Sequence, residues 1–486
     1  MRNSTDEFDA KWIVVGFTGH RALKEPDMVS GAINRELVKL HSGYGNLAII
    51  SSAASGSDTL FLAEAEKLGF PLQIVLPFPP DQFMKDFSND EWARVTPLLD
   101  QAIHIQETVW TNRRDEAYFD AGVSTVDGCD ILLAVWNEGS AAGRGGTGDV
   151  IAYAKHLGKP IIVINDSSGQ SYWINQDKAP EKHYREGIKK ALDISDIQSR
   201  LKEFDSVASS KAPTARNLSL AVILLHLIAT TISIHAVIFI AVLPEISSYI
   251  ATGLKILFLV IALWLSSRLH PIHHSWTEHR PKAEMLRLFL AIWPLKPSAS
   301  ALTSLSVRSQ EALVRNLEIY WRSDKAGKVD SLADGKRYYL ENRIIDQLDY
   351  FKNEHMKSSK RLKFSLIFAS TATFLAITSG VFVLLLGLYE NLADYHHDLI
   401  YFSVKALSVS LPLLSAALLT YALTLDLTRR SSRYQELINF LQTQITCVEA
   451  AVTWNGLWRS IFLIERQLSD EVQEWNTMTA TLSKAH

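Results

Sequence analysis

Four long apolar runs after residue 217 of this 486-residue chain constrain its fold more than any other feature. Crossing the hydrocarbon core of a bilayer takes about 20 helical residues. The four runs, roughly 218–243, 249–267, 364–389 and 399–425, reach or approach that length. A buried helix of a soluble protein would explain one such run, but four runs in two close pairs predict two transmembrane hairpins.

The charged residues beside these runs predict the orientation of both hairpins. Lys211 and Arg216 precede the first run, whereas the loops around Pro244–Ser248 and Glu390–Asp398 contain no Lys or Arg. Basic residues follow the second run, precede the third and follow the fourth: Arg268, Arg280, Lys282, Arg287, Lys357, Lys360, Arg361, Lys363, Arg429, Arg430 and Arg433. Because short cytoplasmic loops carry the excess of Lys and Arg, we expect both termini and the central segment to be cytoplasmic.

The apolar runs divide the chain into six predicted parts. These are a soluble α/β domain (10–200), a linker (201–216), a first transmembrane hairpin (217–270), a cytoplasmic helical segment (271–362), a second transmembrane hairpin (363–426) and a C-terminal cytoplasmic helix (427–486). The last part carries an apolar seam at three-to-four spacing: Leu437, Leu441, Ile445, Val448 and Val452. Such a seam packs either between subunits or against its own chain. The sequence leaves both open, and we expect a homo-oligomer.

Charge and cysteine content exclude two classes of protein. The net charge of −3 and the pI of about 6.6 give no basic surface for nucleic acid, so no nucleic-acid partner is expected. The two cysteines, Cys129 and Cys447, lie far apart, and neither belongs to a paired metal-ligand spacing. This pattern is typical of a protein in a reducing compartment, without a disulfide framework.

The soluble part alternates strand-like and helix-like patterns, which predicts a Rossmann-like parallel sheet with helices on both faces. Five β-rich apolar runs are the predicted strands: Trp12–Thr18, Leu47–Ser52, Leu72–Leu76, Ile131–Val135 and Ile161–Asn165. Helices are predicted at about 26–41, 57–68 and 148–157. Continuous apolar runs of this kind suit strands that are buried on both faces.

Polar loops with glycines follow three of the predicted strands. They contain residues that we predict to bind a ligand: Gly19, His20, Arg21, Ser55, Gly56, Ser57, Asp58, Arg144, Gly145, Gly146, Thr147 and Asp149. In an open parallel sheet, ligands bind beyond the carboxyl ends of the strands. Glycines let the backbone approach a phosphate, and the next helix offers N–H groups. Arg21 and Arg144 can pair with phosphate, and Asp58 or Asp149 can accept a hydrogen bond from a ribose hydroxyl.

Each glycine loop also has a purely structural explanation, because tight strand-to-helix turns need glycine. Neither GxxxxGK[ST] nor a GxGxxG after the first strand is present. Three such loops at the ends of three strands favour a nucleotide-type site over three unrelated turns. His20 has a simpler explanation as a hydrogen-bonded turn residue, and Tyr118 as a core aromatic.

An ordered set of motifs covers most of residues 12–165. It consists of Val15-Gly16-Phe17-Thr18-Gly19-His20-Arg21, Ser55-Gly56-Ser57-Asp58, Arg114-Asp115-Glu116-Ala117-Tyr118, Cys129-Asp130-Ile131-Leu132-Leu133-Ala134-Val135-Trp136 and Gly143-Arg144-Gly145-Gly146-Thr147-Gly148-Asp149. In this order the motifs resemble the SLOG superfamily, which includes the lonely-guy phosphoribohydrolases, DNA-processing protein A and nucleotide-sensor domains of bacterial conflict systems. The resemblance implies a nucleotide or cyclic nucleotide ligand and adds Arg114 and Tyr118 to the predicted site.

The resemblance is imperfect where hydrolysis would take place. The phosphoribohydrolase branch carries a PGGxGTxxE motif with phosphate-binding glycines and a catalytic Glu. This chain matches it at Gly145, Gly146 and Thr147 but lacks the proline and one loop residue, and its acid, Asp149, is shorter and comes sooner. This departure favours phosphate binding without chemistry. If the chain is an enzyme, Asp149, Asp58 and Glu116 are the predicted catalytic carboxylates for an N-glycosidic bond of a nucleotide or NAD.

The membrane half resembles the two-span effector modules found beside SLOG domains in bacterial defence loci, a likeness of layout more than of motif. Together the two resemblances imply a nucleotide-messenger sensor in the bacterial inner membrane, with an anti-phage role, that opens or disrupts the bilayer. No cofactor or metal is expected beyond the nucleotide. The alternatives are a membrane-anchored nucleotide or NAD N-glycosidase and a nucleotide-regulated channel or transporter.

Overall fold

The computed structural model describes residues 12–108, 113–139, 145–182, 194–239, 245–296, 311–324, 329–390 and 399–484. The chain forms two units. The first comprises Met1–Asp193 together with Trp293–Lys328, and the second comprises Ile194–Ile292 together with Val329–His486.

A seven-stranded sheet forms the centre of the first unit. Its strands are β1 (Ile13–Gly19), β2 (Leu47–Ser51), β3 (Leu72–Leu76), β4 (His104–Glu107), β5 (Ile131–Val135), β6 (Ile161–Ile164) and β7 (Ser171–Ile174). The order is β4-β3-β2-β1-β5-β6-β7, and every pair is parallel except β6 with β7. The predicted parallel-dominated sheet is therefore confirmed. The sequence patterns missed β4 and β7 because both are short edge strands that lack a continuous apolar run.

Fourteen α-helices are described. In chain order they are α1 (Pro26–Tyr44), α2 (Ser57–Lys67), α3 (Pro80–Phe83), α4 (Asn89–Gln101), α5 (Arg114–Gly128), α6 (Thr147–His156), α7 (Ile194–Ile238), α8 (Glu245–Ile292), α9 (Glu311–Ser323), α10 (Leu332–Tyr339), α11 (Ile345–Glu390), α12 (Leu399–Thr424), α13 (Leu427–Ala450) and α14 (Trp454–Lys484). The first six and α9 belong to the sheet unit, and the other seven form the second unit.

Two apolar layers cover the sheet, one on each face. Alternate residues of a strand point to opposite faces, so Phe17 packs with Phe61 of α2 on one side. Val14 belongs to the opposite layer, where α6 contributes Val150 and Ile151. Burial on both faces explains why the central strands are apolar without interruption.

Helix α9 comes from a distant part of the sequence and packs at the amino ends of the strands. The Asn316 side chain accepts a hydrogen bond from the Trp12 backbone N–H at 3.1 Å, just before β1. Arg315 forms a salt bridge with Asp130 at 3.0 Å, just before β5, and Ile319 is buried in the apolar layer of α5 and α6. The carboxyl ends of the strands, where ligands are expected, lie at the other edge.

The second unit contains the predicted transmembrane hairpins. Its four candidate spans each hold an 18-residue window with a mean hydropathy of 1.8 to 2.2, of which only 6% to 17% is buried within the chain. Helices that are this apolar and this exposed need an apolar surrounding medium. The four helices are long and apolar enough to cross a membrane, which indicates a membrane protein.

Hydroxyl groups and small residues join the helices of the second hairpin, α11 and α12. The Ser365 hydroxyl donates a hydrogen bond to the Leu418 carbonyl at 2.7 Å, and the Thr373 and Ser415 hydroxyls are 2.9 Å apart. Ala369 is buried on the same helix. Such contacts are typical of helix pairs in lipid, where apolar burial alone gives little driving force.

A buried ion pair joins the start of α11 to α14. A single π-helical turn, Leu340–Ile344, connects α10 to α11 and carries Arg343. The Arg343 guanidinium donates to both carboxylate oxygens of Glu465, at 2.9 Å and 2.7 Å, and the Tyr339 hydroxyl donates to the same carboxylate at 2.8 Å. The Glu465 side chain is 1% exposed, so this charge depends on its partners for stabilisation.

Three predicted parts have different boundaries in the structure. The predicted linker 201–216 is helical within α7, because its residues pack against α8 instead of remaining solvated. The predicted cytoplasmic segment 271–362 is divided, since α9 buries its apolar face in the sheet unit. The predicted helix 427–486 breaks at 451–453 into α13 and α14.

The apolar seam of α13 packs within its own chain. Leu437, Leu441 and Val448 are buried in the second unit, whereas Val452, beyond the end of α13, is 87% exposed. Of the two packings that the sequence left open, the structure shows the one within the chain for these three residues.

Candidate functional site

The strand order creates one point where the chain changes direction across the sheet. From β1 the chain proceeds outward through β2, β3 and β4, and then returns to the other side of β1 with β5, β6 and β7. In a sheet of this topology, the loops after two such neighbouring strands leave in opposite directions, and a ligand crevice is expected between them. Gly19 at the end of β1 and the described part of the glycine loop after β5, from Gly145, both belong to this edge.

A hydrogen bond spans the crevice between these two loops. The Asn137 backbone N–H, two residues after β5, donates to the His20 Nε2 atom at 3.2 Å. The His20 carbonyl accepts a hydrogen bond from the Ser57 hydroxyl at 2.9 Å. Gly19, directly before His20, packs closely against Ser57: a Cβ atom at Gly19 would lie 2.2 Å from the Ser57 hydroxyl oxygen. His20 therefore has the structural turn role that the sequence offered as the simpler explanation, at the switch point itself.

The loop before α2 is held in a backbone conformation that favours glycine. Gly56 has a φ of +93°, and a Cβ atom there would lie 2.1 Å from the Arg21 carbonyl oxygen. Ala53 in the same loop has a φ of 55° although it is not glycine. Strained backbone of this kind persists where the surroundings determine it, which is frequent at ligand sites.

Asp58 points into the protein, away from the crevice. Its carboxylate accepts hydrogen bonds from the Ser52 hydroxyl at 2.6 Å and the Ser51 hydroxyl at 3.3 Å, and the residue is 4% exposed. Burial raises the pKa of Asp58 to about 6, against the hydrogen bonds of the two serines and the charge of Arg21. This carboxylate joins the end of β2 to the start of α2. The two serines therefore use the oxygens that we predicted to accept a hydrogen bond from a ribose hydroxyl.

Arg21, Arg114 and Tyr118 come together beside the crevice. The Arg21 guanidinium lies 4.3 Å from the centre of the Tyr118 ring. The Tyr118 hydroxyl donates to Asp86 at 2.5 Å, and Arg114 forms a salt bridge with the same carboxylate. Burial and the hydrogen bond to Asp86 raise the pKa of Tyr118, so the phenol stays protonated as a donor. The Arg114 guanidinium lies 4.4 Å from the centre of a different ring, Phe78, which contacts Tyr118 edge to face, so the two exposed arginines lie over neighbouring aromatic rings.

The glycine loop before α6 approaches the backbone of α5. Gly145 has a φ of +83°, and a Cβ atom there would lie 2.7 Å from the Asp115 carbonyl oxygen. The Asp149 carboxylate accepts a hydrogen bond from the Gly145 N–H at 2.9 Å, which closes the turn. Gly146 and Thr147 begin the helix. Arg144 lies outside the described residues.

The two helices that begin beside glycine loops lack side-chain caps. Gly56 caps α2 and Gly146 caps α6, neither with a side-chain hydrogen bond. By contrast α4 has a full capping box in which Ser88 and Glu91 satisfy each other's backbone N–H groups. At α2 the His20 carbonyl accepts the hydrogen bond of the first helical N–H, that of Ser57, at 3.1 Å. The other N–H groups of a first turn without a side-chain cap can bind an anion. Ser55 does not face an open site in this structure, because its hydroxyl donates to the Glu91 carboxylate.

The structure brings half of the fourteen predicted ligand residues into one chain of contacts. Gly19, His20, Gly56 and Ser57 meet at the switch point, and Arg21 links them to Tyr118 and Arg114. Glu116 forms a surface salt bridge with Arg113 at 2.7 Å. Sequence reasoning missed Asn137 and Asp86. Asn137 could have been found as a polar residue directly after a strand, but nothing in the sequence marks Asp86.

All three carboxylates considered for catalysis have structural partners. Asp58 bonds to serines, Asp149 closes a turn and Glu116 pairs with Arg113. Within the described residues, no group of three or more His, Cys, Asp or Glu side chains is placed to hold a metal ion. The crevice can therefore offer backbone N–H groups, guanidinium groups and an aromatic ring, which suits recognition of a phosphate-bearing ligand.

No protein-family model matches the chain, and no curated protein matches it.

Proposed function

We propose that this chain is a membrane effector with a SLOG-type sensor domain. A nucleotide or cyclic nucleotide would bind the crevice between β1 and β5 and thereby drive the spanning helices to open or disrupt the bacterial inner membrane, as an anti-phage defence. The observation that carries the proposal is the switch-point crevice, where two uncapped helices begin at glycines and the exposed Arg21 and Arg114 lie nearby.

The same crevice supports binding more than hydrolysis. A hydrolase of an N-glycosidic bond needs a carboxylate that reaches the anomeric carbon or its attacking water. The buried Asp58 and the turn-closing Asp149 are held by hydrogen bonds to the protein itself. Phosphate recognition by backbone N–H groups needs neither carboxylate.

Coupling between the two units has a covalent basis. The chain passes between them three times, after Asp193, Ile292 and Lys328. A ligand shifts a conformational equilibrium only by its difference in affinity for the two states. The proposed messenger must therefore bind the sheet unit more tightly in the state in which the spans act on the membrane. The proposed effector acts as a homo-oligomer.

Dye release from liposomes tests sensing against hydrolysis. The full chain is reconstituted into dye-loaded liposomes, and cyclic dinucleotides, NAD and nucleoside triphosphates are added one at a time. Leakage with one compound that stays intact by chromatography supports the proposal, whereas conversion of that compound identifies the enzyme. Arg21→Ala should abolish the response, and Arg94→Ala, an exposed arginine of α4, should not. Leakage that is independent of every compound, or insensitive to Arg21→Ala, would contradict the proposed sensor.

The proposed cytoplasmic termini are tested at the outer loops. Asp394 lies outside the described residues, in the loop that the sequence places on the outer side. A cysteine at this position in a Cys447→Ser background should react with a membrane-impermeant thiol reagent added to intact spheroplasts. Protection until the cells are lysed would reverse the orientation.

A further inference from the structure

The second unit encloses a polar cavity of about 420 Å³ that is separate from the sheet unit. Five helices line it: α7, α8, α11, α13 and α14. Four arginines and two tyrosines stand out among the lining residues: Arg216, Arg280, Arg287, Arg430, Tyr350 and Tyr434. A cavity of this size is comparable to small-ligand pockets, which are mostly lined by apolar side chains; this one is unusual in its guanidinium groups.

The cavity lies next to the ends of the predicted membrane runs. Arg216 is two residues before the first apolar run, and Arg430 is five residues after the last one ends at about 425. Within the antiparallel pair of α7 and α8, Asp205 forms a salt bridge with Arg287. At 1.5 Å per residue, this register places Arg216 at the level of Trp276, which also lines the cavity. The arginines thus begin where the apolar surface ends.

The acidic residues of the lining are already paired. Arg287 contacts both Asp205 and Glu284. Two more acids pair with cations from outside the lining, Glu354 with Lys357 at 2.7 Å and Glu471 with Arg433 at 3.2 Å. The charges of Glu354 and Glu471 also act on Arg216 and Arg280, respectively.

The arginines at the membrane end repel one another. Burial disfavours the charge of Arg216 most, the positive charges of Arg361 and Arg430 add to this effect, and Glu354 compensates in part. Within the described part of the chain, Arg430 makes no salt bridge. The Arg280 guanidinium donates to the Tyr350 hydroxyl oxygen at 3.3 Å, and that hydroxyl can donate its proton onward. A bound anion would relieve the repulsion and accept these hydrogen bonds.

We propose that this cavity binds the phosphate group of a phosphate ester, supplied either by an anionic lipid headgroup or by a soluble phosphate compound. Guanidinium groups bind phosphate through paired, charge-assisted hydrogen bonds. Basic pockets between transmembrane helices at the cytoplasmic surface are suited to lipid headgroups. The inference goes beyond the proposed sensor function, because it concerns a second site in a different unit with its own ligand.

Thermal unfolding of the full chain in lipid nanodiscs tests the site and separates the two sources. One arm compares phosphatidylcholine with phosphatidylcholine plus phosphatidylglycerol, and the other adds inorganic pyrophosphate to phosphatidylcholine nanodiscs. A ligand that binds the folded state raises the unfolding midpoint by mass action. A rise in the first arm identifies the lipid source, and a rise in the second identifies the soluble one. A rise in neither arm overturns the proposal.

Single-charge variants decide whether the cavity is responsible. Arg430→Gln should weaken binding at least about tenfold, the loss expected for one charged hydrogen bond. Arg429→Gln is the matched control, because it removes the same charge from the neighbouring residue, which pairs with Glu474 away from the lining. Equal losses in both variants would overturn the site. If Arg430→Gln fails to fold, Glu354→Gln decides: removing this acid should tighten binding several-fold, and unchanged or weaker binding refutes the proposal.

Discussion

Substitution of the buried Asp58 by asparagine should change how the stability of the sheet unit depends on pH. In the folded protein, burial raises the pKa of Asp58 to about 6 from an ordinary value of 3.8. One pKa unit corresponds to about 1.4 kcal/mol, so the difference is worth about 3 kcal/mol. Because the folded state holds the proton more tightly, protonation of Asp58 adds to the free energy of unfolding. This stabilisation is complete below about pH 4 and is lost as the pH rises through about 6.

A second group, the partly buried His104, titrates in the same range with the opposite sign. Burial, together with the positive charge of Arg322, lowers the pKa of His104 to about 3. His104 therefore contributes stability that is present above its ordinary pKa of 6.5 and lost as the pH falls toward 3. The pH dependence of the wild-type free energy of unfolding would contain the contributions of both Asp58 and His104. The difference between the Asp58→Asn and wild-type curves removes the His104 contribution, since that group is unchanged.

The chain carries its own reporter for this measurement. Cys129 is 2% exposed within the sheet unit, and burial raises the pKa of its thiol to about 12, so it reacts only after that unit opens. In a Cys447→Ser background, the free energy of opening can be measured in detergent from the rate of reaction with dithiodipyridine in urea, between about pH 4 and pH 7. The stability of Asp58→Asn relative to wild type should rise by about 3 kcal/mol across this range. Parallel curves would refute the assignment of a raised pKa to Asp58.

Two further substitutions test other parts of the structure. Glu465→Gln removes the charge that faces buried Arg343 and should lower the free energy of unfolding by about 3–5 kcal/mol. Glu474→Gln, in an exposed pair, should lower it by about 1 kcal/mol or less in the same thermal unfolding assay. Equal unfolding midpoints for the two variants would contradict the burial argument. Gly56→Ala places a Cβ 2.1 Å from a backbone carbonyl and should cost well over the roughly 1 kcal/mol expected for Gly69→Ala, which has a φ of +74° but open space around it. Thiol reaction at Cys129 measures both glycine variants, and equal costs would mean that the loop adjusts freely.

The central strands and the spanning helices were predictable because their signals are local. A strand buried on both faces must be apolar throughout, and β1, β2, β3, β5 and β6 all begin and end within a residue or two of the predicted runs. The edge strands β4 and β7 carry no such signal, since half of their surface is not covered. The glycine loops were predictable for the same reason, since their glycines follow the strands directly in the sequence.

The orientation of individual carboxylates in the site could not be predicted. The sequence places Asp58 and Asp149 after glycines, where an acid can face either a ligand or the protein. Hydrogen bonds to Ser52 and to the Gly145 N–H turn both toward the protein. Whether a carboxylate turns inward depends on donors that other elements supply, and those become neighbours only when the chain folds.

By itself, the sequence determined which segments form the central strands, which are apolar enough to span a bilayer and where glycines permit close backbone approach, because each depends on composition over a few turns or one strand. Only the tertiary structure decided that α9 returns to the sheet unit, that Arg343 and Glu465 pair across 122 positions, and that arginines from three helices line one cavity. These outcomes join residues that are far apart in the chain. Their energies arise from burial and charge pairing, which exist only once the helices have packed.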